Sequence, residues 1–205
     1  MRYALAERLD MGVRFRASEA TERDVDPDAA LVARLRGGDR RAFDELVRRY
    51  QRPLYHLALR YLRNEADAAD TTQRAFVRVF KSIGRFRGEA SFRTWIYRIA
   101  INLALNHIRD HRRERATEIS DDALTTDAIG ADRMASAQDS MRLRAAIEHL
   151  PPKQRMVIEL RVYDELPFRE VGELCDCTEN AAKVNFHHAM RRLRQLMDGS
   201  TGDSR

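Results

Sequence analysis

Residues 85–113 read RFRGEASFRTWIYRIAINLALNHIRDHRR, with six rings (Phe86, Phe92, Trp95, Tyr97, His107 and His111) set among arginines. From Arg74 to Arg113, ten basic residues face only Glu89 and Asp110, a net charge of +8 against +5 for the whole 205-residue chain. Clustered positive charge attracts phosphates, and aromatic rings give unstacked bases a surface to lie on, worth ~1–3 kcal/mol per base. A second reading is a basic amphipathic helix whose rings are core, because Phe92, Trp95, Ile96, Ile99 and Ala100 share one stripe. Either way, most of the stretch is a long helix.

Working outward, helical periodicity recurs on both sides. Asp28 is a good N-cap for a helix through Ala30, Leu31, Ala33 and Leu35 that stops at Gly37-Gly38. Asp39 caps the next helix, where Phe43, Leu46, Val47, Tyr50, Leu54, Leu57, Ala58 and Tyr61 recur at three- and four-residue steps. Pro53 is expected to kink or divide it. A helix over about 66–83 should bury Thr72, Ala75, Phe76, Val79 and Phe80, with a loop from Gly84 to Gly88 leading into the ring-rich helix. No segment alternates with a period of two, so no strands are expected.

Composition shifts after Arg113. From Glu114 to Ser140, seven acidic residues face two arginines, a net charge of −5 with few large apolar groups, which reads as a flexible linker. A solvated spacer explains it; an acidic mimic of nucleic acid is the sharper alternative. Periodicity returns at Met141, breaks at Pro151-Pro152, and resumes with Met156, Val157 and Leu160. In residues 166–197, LPFREVGELCDCTENAAKVNFHHAMRRLRQLM, a short helix carries Phe168, Val171 and Leu174. Cys175-Asp176-Cys177 turn, and Thr178 caps a second helix whose Ala182, Phe186, Ala189 and Leu193 must face inward. Two helices, a three-residue turn and the Arg191-Arg192-Arg194 cluster describe a DNA-binding helix-turn-helix, with an ordinary helical hairpin as the alternative. Gly172 costs ~1 kcal/mol against Ala inside a helix, yet it lets crossing helices approach closely.

The expected fold is therefore all-α. A disordered tail (1–27) precedes a helical domain (28–113), an acidic linker (114–140), a second helical domain (141–197) and a short tail (198–205). A pI near 9.5 favours a polyanionic partner, and a mean hydropathy of −0.58 a soluble chain. No apolar run approaches the ~20 residues needed to cross a bilayer, and the N-terminus lacks a signal-peptide core, so a cytoplasmic protein without membrane insertion is expected. Cys175 and Cys177, with His187 and His188, invite a zinc reading. Adjacent histidines on a helix point ~100° apart, however, and cysteines one residue apart close a strained ring, so neither metal nor redox switch is expected.

Residues 44–62 (DELVRRYQRPLYHLALRYL), 73–80 (QRAFVRVF) and 91–113 resemble region two of the extracytoplasmic-function bacterial sigma factors. Residues 150–174 (LPPKQRMVIELRVYDELPFREVGEL) and the helix-turn-helix resemble region four of the same family. The resemblance covers most of the chain in the right order. It implies a subunit without catalytic chemistry or cofactor that binds core RNA polymerase, through the largest subunit's clamp helices and the second-largest subunit's flap, and directs it to promoter DNA. An anti-sigma factor is the further partner it implies. By position, Asp70, Gln73, Arg74 and Arg78 correspond to the clamp-binding helix. Arg85, Arg87, Phe92, Arg93, Trp95, Tyr97, Arg98, Asn102 and Asn106 correspond to the surface that captures the melted minus-ten element, with Trp95 core first and DNA-facing second. Thr178, Asn180, Lys183, Val184, His187, His188 and Arg191 correspond to the minus-thirty-five recognition helix. Ala69 and Arg74 stand where the family is usually acidic, and Asp176 where its turn usually has Gly. The alternatives are a stand-alone helix-turn-helix regulator, which would bind duplex DNA tightly by itself, and a nucleic-acid enzyme, disfavoured because neither helical region shows paired carboxylates, a metal-ligand cluster or a nucleophile motif.

Overall fold

A computed structural model describes residues 26–117 and 134–199, and among these every regular element is helical. The described residues form two compact units, 26–117 and 134–199. In the first, α1 (Ala29–Arg36), α2 (Arg40–Leu62), α3 (Glu65–Ser82) and α4 (Phe92–Thr117) follow one another, with a 3-10 turn at Ile83–Arg85. Helices α2, α3 and α4 pack on one another and α1 lies against α2. Their shared core is drawn from the expected periodic positions: Leu46, Leu54 and Leu57 of α2, Ala75 and Val79 of α3, and Phe92, Ile96 and Ala100 of α4.

Capping explains the helix starts. The Asp39 side chain accepts the Arg41 amide at 2.9 Å, and Asn64 accepts that of Asp67 at 3.0 Å, each satisfying an amide that the helix leaves unpaired. Asp28 occupies the N-cap position of α1 but makes no capping bond. Its carboxylate instead turns inward, fully buried, to accept from the Tyr50 hydroxyl and the Arg49 guanidinium. Pro53 does not divide α2, which runs unbroken from Arg40 to Leu62. One missing amide hydrogen bond is outweighed there by the buried row Leu46, Tyr50, Leu54, Leu57 and Ala58. Phe80, expected inside, is 48% exposed and touches Phe43 edge-on at 5.1 Å.

The second unit contains α5 (Met134–Glu148), α6 (Pro152–Ile158), α7 (Phe168–Leu174) and α8 (Glu179–Gly199). Helix α5 begins at Met134 rather than Met141, and α4 continues to Thr117, so the stretch expected as a linker is helical at both ends; residues 118–133 lie outside the described region. So do the expected tails, apart from Asp26-Pro27 and the last residues of α8. A π-helical turn, Glu159–Tyr163, follows α6 and had no signal in the periodicity. Helix α8 packs against α5, α6 and α7, and its stripe Ala182, Phe186, Ala189 and Leu193 is buried as expected.

The turn between α7 and α8 is set by close backbone approach. Asp176 adopts a left-handed φ of 49°, which Asp tolerates better than most residues. The Cys177 amide donates to the Gly172 carbonyl at 2.9 Å, and Thr178 Oγ1 accepts the Ala181 amide at 3.1 Å. A Cβ on Gly172 would lie 2.8 Å from the Cys177 carbonyl oxygen and 3.2 Å from the Glu179 nitrogen, both backbone atoms. Helix propensity alone makes Gly172→Ala stabilising by ~1 kcal/mol, whereas forcing two backbones apart costs ~1–3 kcal/mol. The second effect wins. Gly172→Ala is expected to lower stability by about 1 kcal/mol or more in a denaturant titration, and a gain in stability would refute the close-approach account.

Candidate nucleic-acid interface

The ring-rich helix is built from the inside out. Phe92 is fully buried against Tyr50, with centroids 5.6 Å apart, and against Phe86 at 6.1 Å. Trp95 tilts over Phe86 at 5.0 Å and Phe92 at 5.9 Å, half-buried, so one side of the indole supports the core and the rest reaches the surface. Phe92 and Tyr97 were both expected on the DNA surface. Phe92 is inside, and Tyr97 is 3% exposed; their burial holds the helix in place, with no face open to a base. The helix period explains this: Tyr97 lies beside the Phe92–Ile96–Ala100 stripe and continues it through Ile101 and Ala104.

The other expected minus-ten residues are accessible. Arg98, Asn102 and Asn106 recur every four residues as an exposed polar ridge on α4, and Arg93 is half-buried at its start. Asn106 accepts a hydrogen bond from Arg109. Arg85 and Arg87 are exposed on the loop before α4, where Gly88 takes a φ of 74° and Arg87 pairs loosely with Glu89 at 3.7 Å. That exposed pair is worth ~0–1 kcal/mol, so the Arg87 charge stays usable.

The start of α4 is anchored from far away in sequence. Asp26 Oδ2 accepts the Phe92 amide at 2.7 Å, and its Oδ1 accepts the Asp28 amide at 3.0 Å. Ser91 Oγ accepts the Thr94 amide at 3.1 Å. Two of the orphan amides that open α4 are thus satisfied, and the acidic Asp26 sits where the helix dipole favours negative charge. Burial, and then the bond to Asp28, push the Tyr50 hydroxyl well above its ordinary pKa, so it remains a donor. Sequence reasoning missed Asp26 because nothing local marks a cap supplied from 66 residues away.

On α3, Asp70, Gln73, Arg74 and Arg78 are all exposed. They divide between two flanks. Gln73 borders an open apolar groove with Phe43, Val47, Tyr55, Val77 and Phe80. Arg74, held by Asp70 at 3.3 Å, and Arg78 border a smaller polar pocket against α4. Thr178 at the head of α8, and Asn180, Val184, His187, His188 and Arg191 on it, are exposed, with Val184 at 53%. Lys183 is half-buried and pairs with Glu179 at 2.6 Å. Cys175 is buried and burial pushes its thiol up to about 12. It is a packing residue of the turn.

Among the described residues, no helix is long and apolar enough to cross a membrane. Residues 46–114 match the family Sigma-70 region 2, and residues 140–193 match Sigma-70, region 4. The chain is 33% identical over 180 residues to the RNA polymerase sigma-H factor of Pseudomonas aeruginosa, covering 83% of this chain and 93% of that one. It is 34% identical over 176 residues to the ECF RNA polymerase sigma-E factor of Escherichia coli K12, covering 81% and 92%. Among solved structures, CnrH in complex with the cytosolic domain of CnrY superposes with a TM-score of 0.64 at 25% identity, covering 86% of this chain and 99% of that one. RpoE of Bartonella quintana, in complex with the anti-sigma factor NepR, shares the fold, with a TM-score of 0.59 at 18% identity and coverage of 79% and 98%. Both helical units, with the ridge on α4 and the helix-turn-helix in their expected order, place this chain among the extracytoplasmic-function RNA polymerase sigma factors, the promoter-specificity subunits of bacterial RNA polymerase.

Proposed function

We propose that the two units divide promoter recognition between them. The observation that carries this is the polar ridge Arg98–Asn102–Asn106 raised on a buried aromatic base. In this reading the ridge, with Trp95, Arg93, Arg85 and Arg87, holds the melted minus-ten strand. Phe92 and Tyr97 act from beneath, as the rigid support that keeps the ridge and the indole in register. Flipping a base costs a few kcal/mol of unstacking, which stacking and phosphate contacts offset only when the receiving surface is already organised.

Helix α8 reads the upstream element in the same proposal. Asn180 has the donor and acceptor to pair with adenine, Val184 offers a methyl surface to thymine, and Arg191 with His187 and His188 meets the backbone. Lys183 exchanges its weak pair with Glu179 for a phosphate contact at little cost. Helix α3 meets the polymerase clamp through Asp70, Gln73, Arg74 and Arg78, and the second unit meets the flap. The division of the chain into two domains, action in the cytoplasm and the absence of any catalytic step belong to the same reading. An anti-sigma partner is proposed because the sigma factor of Bartonella quintana was solved bound to one.

Run-off transcription with purified core polymerase tests this, using promoters whose upstream element is randomised and whose minus-ten element is fixed. Transcripts should require both core and this protein. Asn180→Ala and Val184→Ser should each change one preferred upstream base, a discrimination of ~1–3 kcal/mol, whereas Arg191→Ala should weaken all sequences alike and reduce the salt slope by ~0.9. Unchanged base preferences would show that this face of α8 does not read sequence.

The α3 assignment has its own test. Gln73→Ala with Arg78→Glu alters only exposed side chains, so helicity should be unchanged while co-purification with core falls at least tenfold. Undiminished co-purification would place the clamp contact elsewhere.

A further inference from the structure

Outside the surfaces assigned above, one cluster gathers three metal-ligating side chains: Asp67 on α3, with His107 and His111 on α4. Their ligating atoms all lie within 4.8 Å of one another. The histidines are four residues apart and so share a helix face, with ring centroids separated by 4.4 Å. His107 Nε2 stands 3.3 Å from Asp67 Oδ2, is shielded from water and makes no hydrogen bond. These two ligand atoms face each other at a separation that a bound cation can bridge.

The spacing suits a metal ion. Ligand atoms ~2.1 Å from a tetrahedral ion stand ~3.4 Å apart, and the His107–Asp67 pair is already at that separation. The His111 side chain is exposed, and one of its ring nitrogens lies within 4.8 Å of both partners' ligand atoms. The adjoining pocket, about 270 Å³, is bordered by Arg74, Arg78, Asn106 and Asp110 as well as both histidines. Arg74 is paired with Asp70, so part of the positive charge beside the site is already compensated. Water or the Asp110 carboxylate supplies a fourth ligand.

We propose that Asp67, His107 and His111 form a binding site for a divalent transition-metal ion. Two imidazoles and one carboxylate select the zinc, cobalt and nickel class over calcium or magnesium, which require oxygen ligands. The ion clips α3 to α4 beyond Ala104, which is buried in the core. The proposal stands on these side chains alone and is independent of the polymerase-contact reading of α3.

The test is cobalt(II) titration of the tag-free full chain, read by visible absorption and by thermal unfolding. One equivalent should produce the intense d–d bands of a four-coordinate site. At a hundredfold excess over Kd, the melting midpoint should rise by roughly 10 °C, reversed by chelator. His111→Ala, a change at an exposed position, should abolish both effects while circular dichroism stays unchanged, and His107→Gln should do the same if it remains folded. Absence of the bands and of the shift would overturn the proposal. So would bands that persist in both variants, or a sulfur-to-cobalt charge-transfer band, which would place the ion at Cys175 and Cys177 instead.

Discussion

The first unit depends on a buried carboxylate. Asp28 has no contact with solvent, and it is tolerated there because a tyrosine hydroxyl and a guanidinium both donate to it. Removing the partners of such a group leaves an uncompensated charge, at ~3–5 kcal/mol, so the arrangement enforces its own geometry. Tyr50 must stand where α1 begins, and its ring then packs on Phe92 at the head of α4. Asp26, two residues before Asp28, closes the circuit by accepting the Phe92 amide. The beginning of the first helix thereby positions the beginning of the fourth.

That circuit matters because α4 bears the Arg98–Asn102–Asn106 ridge, which we propose holds the melted minus-ten strand. A helix whose first amides are fixed and whose aromatic base is buried presents Arg98, Asn102 and Asn106 as a preorganised row. Preorganisation is what a surface for melted DNA needs, since the cost of ordering side chains is then met during folding and not during binding. The second unit solves a similar problem by a different device. There, the absence of a side chain at Gly172 lets α7 and the start of α8 approach, and Asp176 turns the chain in the left-handed region between them.

The helical class, the order of elements and most of the core were legible in the sequence, because three- and four-residue periodicity directly reports burial. The caps Asp39 and Thr178 were legible for a similar reason, as both act within three residues. What escaped was long-range. Asp28 carries a helix-cap signal, but its carboxylate is claimed by Tyr50 and Arg49 across the fold. Phe80 belongs to the apolar pattern of α3, yet it lies at the rim with Phe43, where no further helix covers it among the described residues. Phe92 and Tyr97 carried two compatible signals, core and nucleic-acid contact, and only the packing shows that both are spent on the core. The pairing of Asp67 with His107 was invisible for the same reason, since it joins positions on different helices.

The central claim is that the segment Asp26–Asp28 holds the head of α4. Amide hydrogen exchange, resolved by residue in the wild-type chain and in Asp26→Ala, tests it most directly. Loss of one charge-assisted hydrogen bond of ~1.5–3 kcal/mol should accelerate exchange at Phe92 by roughly tenfold or more. Amides of α8, in the other unit, should exchange at wild-type rates. Equal protection of Phe92 in the two proteins would contradict the account.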